Sequence, residues 1–379
     1  MFGYVGTPPS LMRADEHWVP ARAASGQCAT GAPRNYRSDI KVNMELSMRI
    51  VTLEEHFTIP SLVSRISPEA IARRGYPVGN KWRRGEAVEE RMPEIGALRL
   101  SEMDQAAIAT QVLSLSGPGA DLVDGLEGVG LARDLNDGVA KAVSEHPDRF
   151  AAFAHLPMRS PDAAADELER TVRDLGFCGA LINGLTEDLF LDDSRFAPIL
   201  SRAEQLAVPI YLHPGIPPEA VRKAYYDNLP HSAGFRLAIA GWGWHSETAI
   251  HILRLVLSGV LDRHPRLKLI IGHMGEGLPA MLARCDQIFA NEVPHLKRSV
   301  AQTILDQVWV TTSGLFTLPP FFAALAVFGI DRMMFSIDYP FSSNQQGRAF
   351  LDMLPLAPVD LEKVAHANAD QLLKLMPRH

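Results

Sequence analysis

The chain is poor in cysteine, with three in 379 residues, and none of them belongs to a CxxC pair. This scarcity argues against a disulfide-stabilised scaffold and against a cysteine-based zinc site. We therefore expect a reducing environment, and a cytoplasmic location fits that expectation best. The three cysteines are widely separated in the sequence, at Cys28, Cys178 and Cys285.

Long apolar runs are also missing from the sequence. No run reaches the roughly 18 residues that a membrane-spanning helix needs, and the N-terminus lacks a charged segment followed by a continuous apolar stretch. The formal charge is −7 with the basic residues dispersed, so there is no electrostatic footprint for nucleic acid. The expected partner is a small molecule, with no membrane anchor and no nucleic-acid partner.

Residues 1–47 mix Gly, Pro, Ala, Ser and Arg without sustained periodicity, which predicts a disordered N-terminal extension. Alternatively, this stretch reflects a start codon placed too early, because Met44 and Met48 precede the first predicted strand. The whole chain is 47% hydrophobic and 21% charged, a composition that supports a large core. We predict that residues 48–379 form a single catalytic domain.

From residue 48 onward, short apolar runs alternate with longer segments of helical spacing, which is typical of βα units and a parallel sheet. Eight strands are predicted, which is the number found in a (β/α)8 TIM barrel of the metal-dependent hydrolase type. Two insertions, 60–95 and 216–245, are too long for minimal loops, and we expect them to cover the active site. The predicted strands are 49–56, 109–116, 149–157, 178–184, 208–215, 267–275, 308–314 and 333–340, and the predicted helices are 98–108, 128–146, 161–175, 193–206, 246–263, 277–291, 318–328 and 359–376.

Polar side chains cluster where the predicted strands end, and barrel enzymes carry their catalytic groups at those ends. Glu54 and His56 are two residues apart, so both can face the barrel mouth while Glu55 points away. His213 and Asp338 would complete an N2O2 ligand set. This set suits one divalent ion, zinc or manganese and also magnesium, with positions open for water or substrate.

His273 and Glu276 follow strand six, where the chain turns directly into a helix. We expect His273 to lie over the metal-bound group, with Glu276 accepting from its other ring nitrogen. In the alternative interpretation Glu276 only caps the helix. Other polar strand ends suit substrate positioning, and several aromatic residues either stack on a substrate ring or simply pack. These candidates are Asn183, Ser116, Ser313, Phe57, Phe341, Trp242 and Trp244.

Six ordered motifs give the chain a resemblance to the amidohydrolase-related family of metal-dependent aromatic decarboxylases, over about residues 49–376. The family includes γ-resorcylate, 2,3-dihydroxybenzoate and salicylate decarboxylases, and aminocarboxymuconate-semialdehyde decarboxylase is a more distant relative. The motifs are LEEHF at 53–57, YLHPG at 211–215, IIGHMGE at 270–276, TSG at 312–314, SIDYPF at 336–341 and AHANADQLLKL at 365–375.

The resemblance implies the same four metal ligands, with His273 and Glu276 as the active-site pair and a homodimer or homotetramer as the assembly. It also implies that Arg284 reaches into the site of a neighbouring subunit. One departure is Ser342 and Ser343, where the family often has an acidic residue after DYPF. This departure concerns the substrate and leaves the metal site intact.

The resulting hypothesis is non-oxidative decarboxylation of a small ortho-hydroxybenzoate. The metal binds the carboxylate and the hydroxyl, Asp338 protonates the ring carbon that carries the carboxylate, and His273 with Glu276 holds charge at the hydroxyl.

Three rival functions stay open at this point. A metal-dependent lactone or amide hydrolase would share most of the ligands, but many such enzymes bridge two metals with a carboxylated lysine, and CGALING at 178–184 contains no lysine. A catalytically silent binding barrel is a second rival. Decarboxylation of a muconate semialdehyde is a third, although those relatives usually carry His-x-His on strand one, where this chain has Glu-x-His.

Overall fold

The computed structural model describes residues 48–77 and 85–375 of the chain. The predicted N-terminal extension, 1–47, lies outside the described residues, as do 78–84 of the first insertion and the last four residues. No helix in the described part is both long enough and apolar enough to cross a membrane.

The described chain contains eight parallel strands that follow one another around a ring. Strands β1 to β3 pair in order, and β4 to β8 pair in order. Two single-residue parallel bridges join these groups, Leu53 with Ser336 and Ala154 with Ala180, so the ring is closed. The predicted eight-stranded α/β barrel is confirmed. The strands are β1 Val51–Phe57, β2 Thr110–Leu115, β3 Phe150–Ala152, β4 Ala180–Asn183, β5 Ile210–His213, β6 Leu269–Ile271, β7 Val308–Thr311 and β8 Met333–Met334.

Each predicted strand overlaps an observed one, but most observed strands end earlier than predicted. The clearest case is β8, which was predicted to run to residue 340 and ends at Met334. Beyond it the backbone leaves the extended conformation, and Asp338 has φ 65°. The residues that were predicted at strand ends therefore divide into two groups. Glu54, His56, Asn183 and His213 lie in strands, whereas Ser116, His273, Ser313 and Asp338 lie on the segments that follow the strands, where function concentrates in barrel enzymes.

Helices separate the strands, and every predicted helix overlaps an observed one. Five short helices in the two insertions were not predicted. Outside the insertions, the helices at 300–307 and 344–353 were not predicted either, although Ser299 and Ser343 cap them through side-chain hydrogen bonds. The helices are α1 Pro60–Val63, α2 Pro68–Arg74, α3 Glu86–Arg91, α4 Ala97–Gln105, α5 Gly125–Glu145, α6 Pro161–Asp174, α7 Ala197–Leu206, α8 Glu219–Tyr225, α9 Ala233–Arg236, α10 Gly243–Leu257, α11 Val260–Arg263, α12 Leu278–Phe289, α13 Val300–Gln307, α14 Leu318–Phe328, α15 Asn344–Met353, α16 Pro358–Glu362 and α17 Asn368–Leu373.

The strands divide their side chains between two buried layers. Ile270 of β6 packs in a small cluster with Val112 and Leu181 of other strands. Its neighbours Leu269 and Ile271 belong instead to the large cluster that includes the helices. Because successive strand residues face opposite sides, the small cluster fills the interior of the barrel. The large cluster packs the outer face of the strands against the surrounding helices. This packing fixes the strand ends on which the site is built.

Candidate metal centre and active site

Three of the four predicted ligands meet at the mouth of the barrel. The ligand atoms of Glu54, His56 and His213 all lie within 4.8 Å of one another. Asp338 is slightly further out, with its Oδ1 3.3 Å from Nε2 of His56. The predicted four-residue constellation is therefore assembled from β1, β5 and the loop after β8.

Glu54 is held so that one of its carboxylate oxygens is free. Its Oε2 accepts hydrogen bonds from the hydroxyls of Tyr211 and Ser313. Its Oε1 is buried without a hydrogen-bond partner and lies 3.3 Å from Nε2 of His213. Burial raises the pKa of this carboxyl, but His273, His213 and His56 outweigh that effect and hold its pKa well below its usual range. Glu54 is thus an anion.

The backbone at Glu54 does not have the regular pleated conformation that was predicted for this strand. Its φ is 62°, and the pairing of β1 with β2 changes register between Thr52 and Glu55. This irregularity, rather than the regular alternation of a strand, directs both Glu54 and His56 to the mouth. A left-handed glutamate is uncommon, and such strain is typical of functional sites.

The surroundings of His56 favour its neutral form, which is the form that can bind a metal ion. The hydroxyl of Ser114 lies 3.1 Å from its Nδ1, while its buried Nε2 makes no hydrogen bond. Burial lowers the pKa of His56, and the opposing effect of Asp338 does not restore it. Buried polar atoms without partners are rare in proteins and costly. An unpartnered carboxylate oxygen beside an unpartnered imidazole nitrogen therefore fits a divalent cation as their shared partner.

His273 and Glu276 form the predicted pair, with 2.8 Å between Nδ1 of His273 and Oε1 of Glu276. Nε2 of His273 lies 3.9 Å from Oε1 of Glu54. Burial lowers the pKa of His273, but Glu276 and Glu54 raise it to about 10, and burial of Glu276 is outweighed by His273 and His245, which lower its pKa. His273 and Glu276 both have positive φ in the turn after β6.

His245 also belongs to this group and was not predicted. Its Nδ1 is 2.5 Å from Oε2 of Glu276, so the glutamate lies between two histidines. His245 is at the start of α10, at the end of the second insertion, and not at a strand end. The pattern used to find the other candidates gave no signal for it.

A cavity of about 210 Å³ opens beside the metal ligands and is lined by His213, His273 and Asp338. Both predicted insertions contribute to its walls, through Tyr76 from the first and Phe235 from the second. Among the described lining residues Arg236 is the one arginine or lysine. The remaining lining residues are Ser116, Gly117, Asn183, Pro214, Gly215, Ile216, Ser232, Ile239, Ala240, Trp244 and Phe341.

The candidates for substrate contact separate into two groups. Asn183, Ser116, Trp244 and Phe341 line the cavity. The others do not: Phe57 is buried in the large core cluster, because it follows His56 and so faces the opposite side of β1. Ser313 instead donates to Glu54, and Trp242 lines a neighbouring apolar groove. Arg284 is exposed on α12, with Gln287 as its hydrogen-bond partner.

Glu55 points away from the metal ligands, as predicted, and it fastens β1 to the chain beyond β8. It accepts from the backbone N–H groups of Ile337 and Tyr339, which flank Asp338. Burial raises the pKa of Glu55 to about 8 despite these hydrogen bonds. Arg99 donates to the backbone carbonyl of His56 at 2.6 Å. This buried support fixes the backbone on both sides of the site.

Comparison with known proteins places the chain among metal-dependent enzymes of one family. The chain is 37% identical to the γ-resorcylate decarboxylase of Rhizobium sp. over 337 residues, which are 86% of this chain and 98% of the relative. A 2,6-dihydroxybenzoate decarboxylase in complex with 2,6-dihydroxybenzoate has a TM-score of 0.76 at 36% identity, covering 86% of this chain and 99% of that one.

A dihydroxybenzoic acid decarboxylase from Polaromonas sp., solved with manganese and 2-nitroresorcinol, has a TM-score of 0.77 at 34% identity, covering 86% of this chain and 97% of that one. The amidohydrolase family profile matches residues 55–375. The chain therefore belongs to the amidohydrolase family.

Proposed function

We propose that this protein is a metal-dependent carboxy-lyase that removes the carboxylate from a small ortho-hydroxylated aromatic acid without oxidation. One observation carries the proposal. An aspartate, Asp338, lies beside the donor set of Glu54, His56 and His213 and faces a cavity sized for a single aromatic ring. The relatives described above act on such acids, and one binds 2,6-dihydroxybenzoate in its structure.

The groups that would hold the metal ion are Oε1 of Glu54, Nε2 of His56, one ring nitrogen of His213, and the carboxylate of Asp338. When bound, a divalent ion at this site would hold the substrate carboxylate and ortho hydroxyl and stabilise negative charge on them. Manganese is favoured because it is present in the structure of the Polaromonas relative. The ligand set also accommodates zinc or magnesium.

Asp338 is the proposed proton donor to the ring carbon that carries the carboxylate. Its carboxyl borders the cavity, while the carboxylate of Glu54 is immobilised by Tyr211 and Ser313. His273 lines the same cavity, and the ion pair with Glu276 keeps its ring oriented toward the substrate hydroxyl. Asn183 is a candidate to hold a further polar group of the ring.

A homodimer or homotetramer is proposed as the assembly. An apolar groove next to the active site is lined by Trp242, Ile250 and Met281, which are 61%, 49% and 54% exposed. Exposed apolar surface of this kind typically marks an interface, and a second copy of the chain is the occupant that we propose. Arg284 lies on the same helix as Met281, so its side chain could extend into the active site of a neighbouring copy. Because both described cysteines are free thiols, we retain the proposal of a cytoplasmic location.

The test is a decarboxylation screen over ortho-hydroxylated benzoates, with a lactone panel in parallel and the metal content measured on the same sample. We expect carbon dioxide release from at least one hydroxybenzoate and no acid release from the lactones. Acid release alone would favour the hydrolase alternative. A fully metal-loaded protein that turns over neither panel would contradict the proposal and favour a silent binding barrel.

A further inference from the structure

His245 contacts the active-site pair from outside the cavity. Its Nδ1 lies 2.5 Å from Oε2 of Glu276, and the other oxygen of that carboxylate lies 2.8 Å from Nδ1 of His273. Glu276 is 2% exposed. We propose that His245 is a positioning residue for the proposed reaction: it fixes the Glu276 carboxylate, which in turn fixes the ring of His273. This inference rests on the proposed function for the reaction that it serves.

A carboxylate that is held through one oxygen can still rotate about its last side-chain bond. Glu276 is held through both oxygens, so its plane is determined and the direction of the bond to His273 is determined with it. Nδ1 of His273 is used in that bond, which leaves Nε2 for the cavity side, 3.9 Å from Oε1 of Glu54. Partners of this kind, one step behind a reacting group, set its tautomer and orientation.

The second ring nitrogen of His245 has a separate partner. Nε2 lies 3.2 Å from the backbone carbonyl of Ala240, and Ala240 belongs to the insertion that lines the cavity. A carbonyl and a carboxylate both accept hydrogen bonds, so each ring nitrogen of His245 lies against an acceptor. The rings of His245 and His273 also meet edge to face, with 4.9 Å between their centroids. His245 thus joins the cavity wall to the active-site pair.

Two substitutions test the two hydrogen bonds of His245 one at a time. In His245→Asn the side-chain amide can replace the Nδ1 donor and so keep the bond to Glu276. In His245→Gln the amide nitrogen can replace the Nε2 donor instead, which keeps the bond to Ala240 and loses the one to Glu276. The two variants are both uncharged amides, so each is the control for the other.

We expect kcat to fall roughly 10-fold in His245→Gln, while KM and metal content remain at wild-type values. His245→Asn should restore most of kcat. A loss of stability alone would not produce this division between kcat and KM. Equal kcat in the two variants would overturn the positioning role, and so would a His245→Asn enzyme that is slower than His245→Gln.

A readout that does not need turnover separates this inference from the proposed function. In ¹⁵N-histidine-labelled protein, the Nδ1 proton of His273 should give a downfield resonance because of its bond to Glu276. That resonance should persist in His245→Asn and shift or broaden in His245→Gln. If the wild-type protein decarboxylates nothing but the resonances behave in this way, the proposed function fails and the positioning stands. If the wild type is active and the resonance is identical in all three proteins, the positioning fails.

Discussion

The phenol of Tyr211 on β5 donates a hydrogen bond to Oε2 of Glu54 on β1, across the inside of the barrel. Burial and the neighbouring Glu54 raise the pKa of Tyr211 well above its usual range, so it remains a neutral donor. The hydroxyls of Thr311 and Ser313 lie 2.8 Å and 3.2 Å from the same phenol oxygen. Tyr211 therefore determines which oxygen of Glu54 remains free for a metal ion.

Tyr211→Phe should weaken metal binding by roughly 10- to 100-fold, because the carboxylate loses a partner that holds it in place. The measurement is the dissociation constant from chelator competition on the folded protein. Tyr225→Phe is the matched control, since that tyrosine is 73% exposed. Unchanged affinity in Tyr211→Phe would contradict the role given to this hydrogen bond.

Gly272→Ala should reduce metal affinity and stability together. A Cβ atom at this position would lie 2.7 Å from Oε2 of Glu54, which is closer than such atoms approach in proteins. The φ of Gly272 is −80°, so the effect is steric and does not come from backbone strain. We expect at least a roughly 10-fold loss of metal affinity, in the range seen when the partners of metal ligands are disturbed.

The control for this prediction is the same substitution in open space. A Cβ at Gly130 meets nothing within 4 Å, and Gly130 lies within α5. Gly130→Ala should leave metal affinity unchanged and raise the free energy of unfolding by about 0.5–1 kcal/mol, as expected for alanine in a helix interior. If both variants bind metal as tightly as the wild type, the close packing of Gly272 on Glu54 does not contribute to metal affinity.

Glu247→Gln should stabilise the protein at neutral pH but not in acid. Burial raises the pKa of Glu247 to about 7, with Asp188 adding to the effect and Arg74 opposing it. Between pH 4.5 and 7 the unfolded chain has lost this proton while the folded chain keeps it, so the glutamate makes stability fall as the pH rises. The gain in free energy of unfolding should be on the order of 3 kcal/mol at pH 7.5, since one pKa unit corresponds to about 1.4 kcal/mol.

Chemical denaturation of wild type and Glu247→Gln at pH 4.5 and pH 7.5 gives the measurement. Below pH 4.5 both states of the wild type are protonated, and the difference between the two proteins should disappear. A constant difference at both pH values would show that titration of Glu247 is not its cause.

Arg236→Met should raise KM for an aromatic acid about 10-fold and leave kcat nearly unchanged. Arg236 lines the cavity, and no ion pair joins its guanidinium to another described residue. A cation that attracts the acid equally in the ground state and the transition state contributes uniform binding, which appears in KM. Steady-state kinetics test this, with Lys223→Met as a control for the same loss of charge at a residue that does not line the cavity. Equal KM in the two variants would exclude such a role for Arg236.

The sequence was sufficient for the order of the barrel strands, because that order depends on patterns that recur along the chain. It also predicted that the four proposed ligands lie close together, as they do in the structure. The local conformation of Glu54 was not predictable in this way. The alternation of a regular strand predicts that Glu54 and His56 share a face, whereas they meet through a left-handed residue and a register shift. The two side chains lie together as predicted, but the backbone conformation behind that prediction was wrong.

Phe57 and His245 differ in whether their positions could be predicted from the sequence. The alternation that predicts His56 at the mouth also directs Phe57 to the opposite side. The burial of Phe57 in the core was therefore predictable from the sequence. His245 was not, because its partner Glu276 is 31 residues away and no periodic pattern relates the two. Contacts between an insertion and a strand end depend on how the insertion folds. The helices capped by Ser299 and Ser343 begin with capping residues that can be recognised in the sequence, so both helices were predictable.

At the junction between β1 and the chain after β8, the strands meet at the bridge between Leu53 and Ser336, beside the hydrogen bonds that Glu55 accepts. The proposed ligands lie on both sides of that junction, Glu54 and His56 on one side and Asp338 on the other. An ion bound by all three would therefore act as a cross-link that holds the cylinder closed. Removing it with a chelator should speed amide exchange at residues 53 and 336 before it affects the other strands, so loss of activity and opening of the barrel would begin at the same place.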